Sequence, residues 1–515
     1  MIYRYMEHHV RNVTRAALVC LVMIAAGVAP AGAAVSPPVD HAGRWITDAR
    51  GRVLVIHGVN MVYKRPPYAP DAIGFDDTDA AFLAREGFNA VRLGVIWKAV
   101  EPQPGVYDDA YLDRIATTVA LLRRRGILTQ LDFHQDQLNE RFYGEGFPDW
   151  AIQDDGLPNK PDYGFGPNYL LLPSLERAFD HFWANDPGPD GVGLQDHYAA
   201  AWRHVAQRFH SDPGLLGYDL FNEPFPGTAW EPCVNLAGCP EFDARLSAFN
   251  ARVIAAIRSV DPRGLAWYEP NVIFNNGPAT HVVSGGDPHA GFSFHDYCLF
   301  EPQTRSNTGC DPFDDLVFAN AEKHVAGTGD ALMLTEFGAT DDASNNQAMV
   351  DRADRTRVSW MWWAYCGCND PTTSGPGTAQ ALVIDPSRPP AGDNLQAAKL
   401  DTVVRPYPRL VSGTPRSWSF ARDTKTFRAE YTTARARGRG AFAAWARSEF
   451  MVPARQYPGG YAAQVSGGAI TSSPGASVLR VAACPGATTL RVTVTPHGVS
   501  GQSCAVRRRS SKRSS

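Results

Sequence analysis

Glu223 closes the apolar run Gly217-Tyr218-Asp219-Leu220-Phe221-Asn222, and Glu336 closes Ala331-Leu332-Met333-Leu334-Thr335. A carboxylate at the end of a buried strand is costly unless something pairs or uses it. Two such strands bring their carboxyls to one pocket when both belong to one barrel, whose sites lie at the C-terminal strand ends. Paired carboxyls hydrolyse glycosidic bonds. One protonates the leaving oxygen, and in a retaining enzyme the other attacks the anomeric carbon from about 5 to 5.5 Å away. Their surroundings must differ, so that one keeps its proton and the other its charge.

Positioning these groups takes a repeat of strands and helices. Strand-like runs at residues 53–59, 90–94, 128–133, 215–221, 266–269, 291–294, 331–335 and 358–363 alternate with amphipathic helical patterns. That alternation is the signature of βα units on a parallel sheet, and eight of them predict an α/β fold, a closed (β/α)8 barrel. Leu112, Ile115, Val119 and Leu122 share one helical face, and Gly87 and Gly126 stand where left-handed caps would end helices. An open doubly wound sheet is the competing architecture. It expects a Gly-rich phosphate loop after its first strand, and none follows residues 53–59.

The polar residues at the ends of these runs are few. Arg92 lies near the end of the second strand, Asp132 and His134 at the third, Asn222 and Glu223 at the fourth, His295 and Tyr297 at the sixth, Glu336 at the seventh and Trp363 at the eighth. Arg92 and Tyr297 suit Glu336 as an ionised nucleophile. Asn222 is placed to hydrogen-bond a sugar 2-hydroxyl. Trp360, Trp362 and Trp363 are three candidates for one sugar-stacking role, and strand alternation puts Trp363 on one face and the other two on the opposite one. For His134 and His295 the bland alternative is a satisfied core histidine; their strand-end positions favour the site.

Phe221-Asn222-Glu223-Pro224 and Thr335-Glu336-Phe337-Gly338, with Arg92, His134, His295, Tyr297 and Trp363, resemble the residue set of glycoside hydrolase family 5. The resemblance implies a (β/α)8 barrel, retaining hydrolysis without a cofactor or metal, Glu223 as acid/base and Glu336 as nucleophile. Within the family, Gly58-Val59-Asn60-Met61-Val62-Tyr63-Lys64, Asp132-Phe133-His134-Gln135-Asp136 and Asn139-Glu140-Arg141-Phe142 are most similar to the endoglycoceramidase group, which releases intact glycan from glycosphingolipids. By that resemblance Lys64, Asp132 and His134 hold the sugar next to the lipid, with Asp136 as support. A ceramide also needs an apolar channel, for which Phe147, Trp150 and Ile152, and Phe225, Pro226 and Trp230, are candidates; the alternative is that they cap the barrel core. Competing specificities on the same scaffold are an endoglucanase, a β-glucosidase and an endogalactosylceramidase. A binding protein that has lost catalysis is the different class, and Glu336→Ser would separate it from a catalyst.

The 515 residues, 44% hydrophobic and 11% aromatic, are enough for two packed domains. Forty-nine basic and 53 acidic residues leave a net charge of -4, which gives no bulk basic surface for nucleic acid. Residues 1–34 carry Arg4, Arg11 and Arg15, an apolar stretch and small residues at 31–34, the pattern of an export signal. The stretch is short of the roughly 20 residues that span a bilayer, so secretion is expected rather than an anchor. The organisation expected is a barrel over 35–400, a small β-sandwich over 401–500 and a basic, disordered tail over 501–515. The tail's charge would suit anionic membrane surfaces, although solvation is its simpler role. A monomer is expected. Without Cys20, eight cysteines remain, favouring disulfides over zinc: Cys233 with Cys239, Cys298 with Cys310, Cys484 with Cys504, and the state of Cys366 and Cys368 open.

Overall fold

The computed structural model describes residues 35–304, 306–373 and 378–504; the expected export signal and residues 505–515 of the tail lie outside them. Eight parallel strands close a barrel: β1 (His57–Met61), β2 (Ala90–Val95), β3 (Leu128–Phe133), β4 (Leu215–Asp219), β5 (Ala266–Tyr268), β6 (Ala290–His295), β7 (Ala331–Glu336) and β8 (Ser359–Trp362), with β8 pairing back onto β1. Every residue of β2, β3, β6 and β7 is buried, as in a parallel sheet with helices outside and side chains within. The register shifts between Leu334 and Glu336, which sets Glu336 opposite His295 on β6. Such irregularities re-aim a side chain next to a site.

In the helices that precede β2 and β3, caps and apolar spacing agree. Asp77–Glu86 begins at a capping box, Asp76 accepting from the Thr78 N–H and Asp79 from the Asp76 N–H, and stops at Gly87 with φ +101°. Asp109–Arg124 buries Leu112, Ile115, Val119 and Leu122, the predicted face.

The first candidate strand differs from expectation. Val53–Leu54 pairs with Tyr407–Val411 outside the barrel, and only His57–Met61 enters it. Val53 and Val55 pack with Tyr407, Val411 and Phe450, so the apolar run 53–59 feeds two cores. Asp40–Ala42, Trp45–Thr47 and Val53–Leu54 therefore join a twelve-stranded sheet whose remaining strands come from the C-terminal part, across the division drawn at residue 400. That sheet folds over itself. Phe427 and Tyr431 lie 6.3 and 6.0 Å from Phe450, although their strands are far apart in sheet order. Two packed layers result, a β-sandwich. Tyr407 ties it to the barrel by stacking on His57 at 3.7 Å and donating to the Gly87 carbonyl at 2.9 Å; Trp418 donates to Asp354 at 2.7 Å. The three expected disulfides are present, and Cys366 bridges to Cys368.

Candidate active site

Arg92 points from β2 into the barrel, fully buried, and organises its upper end. Its Nη1 donates to Glu336 Oε1 at 2.6 Å and its Nε to Asp219 at 2.7 Å; Nη2 donates to Asn222 at 2.9 Å and Glu269 at 3.0 Å and lies 3.0 Å from Asp132. A planar fork of donors that stays charged is suited to such a site. Tyr297 donates to the other Glu336 oxygen at 2.9 Å. Burial pushes the Glu336 carboxyl above its ordinary range, His295 and Arg92 pull it down, and Glu223 pushes it up. The guanidinium and phenol together favour the carboxylate, the form a nucleophile needs.

Glu223 lies in different surroundings. Its Oε1 accepts from Asn275 at 2.7 Å and from His295 Nδ1 at 2.9 Å, which leaves Oε2 for a leaving-group oxygen. Burial disfavours the His295 cation, but Glu269 and Glu336 outweigh it and hold the imidazole well above its usual range. The backbone of Glu223 is left-handed, φ +46°, and its N–H is held by Glu269 Oε2 at 2.9 Å. Strain of this kind persists where neighbours over-determine it, as at catalytic positions. Gln135 adds to the grip, donating to the Asn222 carbonyl at 2.8 Å. A Glu223 oxygen, a Glu336 oxygen and a His295 nitrogen lie within 4.8 Å of one another. That is the separation class of retaining glycosidases and too close for the water that inverting enzymes place between their carboxyls.

A second cluster lies beside this pair. Lys64 donates to Asp136 at 2.5 Å and Thr372 at 2.7 Å, stands 3.3 Å from Asp370, and sits 4.5 Å over the ring of Trp363. Asp136 is held below the ordinary carboxylate range, Lys64 and His134 overcoming its burial. His134 bonds Asp132 through Nδ1 at 2.7 Å and stacks on Trp363 at 5.3 Å.

Lys64, His134, Asp136, Thr372, Gln380 and Trp363 form one wall of a cavity of about 550 Å³ that holds Asn222, Glu223, Tyr297 and Glu336. Phe165, Pro167, Tyr169, Val272 and Leu299 add apolar lining to it. Trp360 and Trp362 are buried in the core, as alternation requires. Arg92, Asp132 and His295 are buried beneath the cavity and act through the residues that line it.

The candidate channel residues on the loops after β3 and β4 lie elsewhere. Phe147 packs on Trp97 and Phe182, Trp150 donates to the Glu101 carbonyl, Phe225 packs on Tyr169 and Phe179, and Trp230 donates to Glu176. These loops are long enough to carry their own apolar core, which uses up those rings. Residues not anticipated are Glu269, Asn275, Gln135, Asp370 and Thr372. Glu269 was legible, since it ends the fifth candidate strand as Glu223 ends the fourth. Asn275, in the short helix after β5, gave no comparable signal.

Residues 48–369 match the family profile described as cellulase (glycosyl hydrolase family 5), and residues 405–494 that of the glycoside hydrolase family 5 C-terminal domain. Endoglycoceramidase I of Rhodococcus hoagii (strain 103S) is 34% identical over 86% of this chain and 85% of its own. Among solved structures, endo-glycoceramidase II from Rhodococcus sp. in complex with ganglioside GM3 aligns with a TM-score of 0.73 at 28% identity, covering 88% of this chain and 99% of that one. The same protein has been solved as a lactosyl-enzyme intermediate, with a TM-score of 0.71 at 29% identity over 88% and 99% of the two chains. An endogalactoceramidase aligns with a TM-score of 0.68 at 25% identity, covering 89% and 99%. With both profiles matched in order and the two carboxyls seated where they converge, the chain belongs to glycoside hydrolase family 5.

Proposed function

We propose that this chain is an exported, monomeric endoglycoceramidase, a retaining β-glycosidase that cleaves between the oligosaccharide and the ceramide of glycosphingolipids. The observation that carries the reading is the mixed lining of the cavity, a linked polar cluster together with apolar residues. A glycan is recognised by a dense polar wall that includes a lysine over a tryptophan, and the acyl chains require the apolar lining formed by Phe165, Pro167, Tyr169, Val272 and Leu299. In the first step Glu336 attacks the anomeric carbon while Glu223 gives its proton to the ceramide oxygen; in the second Glu223 takes a proton from water, which releases the glycan from Glu336. Asn222, fixed by Arg92, is placed for the sugar 2-hydroxyl.

The relatives support the substrate, since their names and bound molecules are glycosphingolipid ones. The apolar lining also continues outward. Leu299 and Phe300 are exposed, Phe313 packs against Phe300 at 5.5 Å, and Leu170 and Leu171 follow Tyr169. Such a rim suits contact with a membrane surface, where the substrate resides. Mass spectrometry of products from a ganglioside, lactosylceramide, galactosylceramide and a soluble cello-oligosaccharide tests the reading. Intact glycan plus free ceramide is expected. Cleavage of galactosylceramide alone would move the specificity to the endogalactosylceramidase type, and single-sugar release or cello-oligosaccharide cleavage alone would overturn the assignment.

A further inference from the structure

Glu145 is fully buried, and neither of its carboxyl oxygens has a hydrogen-bond partner among the described residues. It lies directly behind the polar wall: Oε1 is 3.9 Å from His134 Nε2, and atoms of Glu145, His134 and Asp136 lie within 4.8 Å of one another. The backbone is built to put it there. The Asp136 N–H donates to the Glu145 carbonyl at 3.0 Å and the Glu145 N–H to the Asp136 carbonyl at 2.9 Å. Glycines flank it on both sides for want of space. A Cβ on Gly144 would fall 1.8 Å from the Asp136 carbonyl oxygen, and one on Gly146, whose φ is +133°, 2.4 Å from Gln135 Cβ. An acid locked against Asp136 in this way contributes no hydrogen bond of its own, so a purely structural role would be better served by an apolar side chain.

We propose that Glu145 is the positioning residue of the glycan-binding wall, holding Asp136 and His134 in the orientation that keeps Lys64 over Trp363 and facing the sugar. The inference rests on the glycan side of the cavity being as described above. Charge supports it. Lys64 and His134, Asp136 and Asp370, and the phenols of Tyr68 and Tyr169 all face Glu145. Burial, with Asp136 and Asp370, holds its carboxyl well above the ordinary range against the pull of Lys64 and His134. As a neutral acid it fills the space behind Asp136 without competing for the ammonium; once ionised it would draw Lys64 and His134 away from their partners.

The test is steady-state kinetics of wild type, Glu145→Gln and Glu145→Ala on an aryl β-lactoside, or on an aryl β-cellobioside if the wild type turns over cello-oligosaccharides instead, across neutral to alkaline pH. Failure of the glycolipid reading would show in the product analysis of the wild type and leave this comparison intact. Glu145→Ala leaves a cavity behind Asp136 and His134, and the loosened wall is expected to raise KM by on the order of tenfold with kcat little changed, the pattern of lost uniform binding. Glu145→Gln, the isostere of the neutral acid, is expected to keep the wild-type KM near neutrality and to lack its alkaline rise. Thermal unfolding gives a second readout. A carboxyl raised on folding gives stability that is full below its unfolded pKa and is lost as pH rises toward the folded one, so Glu145→Gln should melt above wild type at neutral pH, the gap closing toward pH 4.5, the unperturbed value. An unchanged KM in Glu145→Ala, a loss confined to kcat, or a Gln variant as impaired as the Ala variant would overturn the proposal.

Discussion

Replacing Tyr297 by Phe removes one donor from the nucleophile and leaves the ring in place against Val62 and Trp363. Burial, with the Glu336 and Glu223 carboxylates, holds the Tyr297 phenol well above its usual range, so in wild type it donates at every pH an assay would use. A hydrogen bond to a charged group contributes about 1.5–3 kcal/mol. At 1.36 kcal/mol per factor of ten this is about 10- to 150-fold in the equilibrium between ionised and protonated Glu336. The donor favours the ionised form, so its loss moves the acid limb of kcat/KM to higher pH. Below both limbs the variant should be slower by the full factor; on the plateau the two curves should approach each other. A pH series of kcat/KM on an aryl β-lactoside measures this. A loss of the same size at all pH values would refute the reasoning, because Tyr297 would then act on the sugar or the transition state and not on the charge of Glu336.

Glu223→Gln should lower kcat/KM for ceramide release by about 10²–10⁴-fold and kcat/KM for an activated aryl leaving group much less, since in the first step only the poor leaving group needs the proton; comparing kcat/KM on both substrates checks it. Lys64→Met leaves Asp136 and Asp370 without their buried cation, and we expect a loss on the order of 3–5 kcal/mol in denaturant unfolding together with a raised KM. Leu171→Asp with Phe313→Asp, both on the exposed rim, should reduce cleavage of glycolipid in vesicles while hydrolysis of an aryl β-lactoside is retained; equal effects on both substrates would count against a membrane-facing rim.

The barrel was legible because its strands are short apolar runs, several followed at once by a polar residue, and because helices such as Asp77–Glu86 and Asp109–Arg124 carry a capping aspartate and an apolar stripe. The two glutamates were legible for the same reason, and the rule that found them also reached Glu269. It did not reach Asp136, Asp370 or Thr372 as a group, because they come from loops after β3 and β8 and meet only in the folded chain, around Lys64 and the Thr372 hydroxyl. Nor could it divide residues 53–59. An uninterrupted apolar run looks the same whether it serves one core or two, and the partner that takes Val53 and Val55 lies more than 350 residues further along, at Tyr407 and Val411. The apolar lining of the cavity was misplaced for a related reason. Phe147 and Phe225 are indistinguishable in sequence from channel residues, and only packing shows that they face the loop core.

Two charge systems meet in this site, one around Arg92 and one around Lys64, and His134 with Asp132 joins them. Asp132 lies 3.0 Å from Arg92 Nη2 with one oxygen and bonds His134 Nδ1 at 2.7 Å with the other. Burial works against a charged His134, yet Asp132 and Asp136 push the imidazole up from 6.5 to about 10. A histidine raised in this way contributes stability that is fully present below pH 6.5 and lost as pH rises toward 10. Asp132→Asn removes the largest of the groups that raise it. His134 should then lose its charge nearer neutrality, the decline of melting temperature between pH 6.5 and 10 should flatten, and KM for the glycan should rise within that window, where wild type is constant until higher pH. Melting curves and kinetics over the same pH series test both effects. If the decline persists in the Asn variant, the charge on His134 does not come from Asp132, and the two systems act independently.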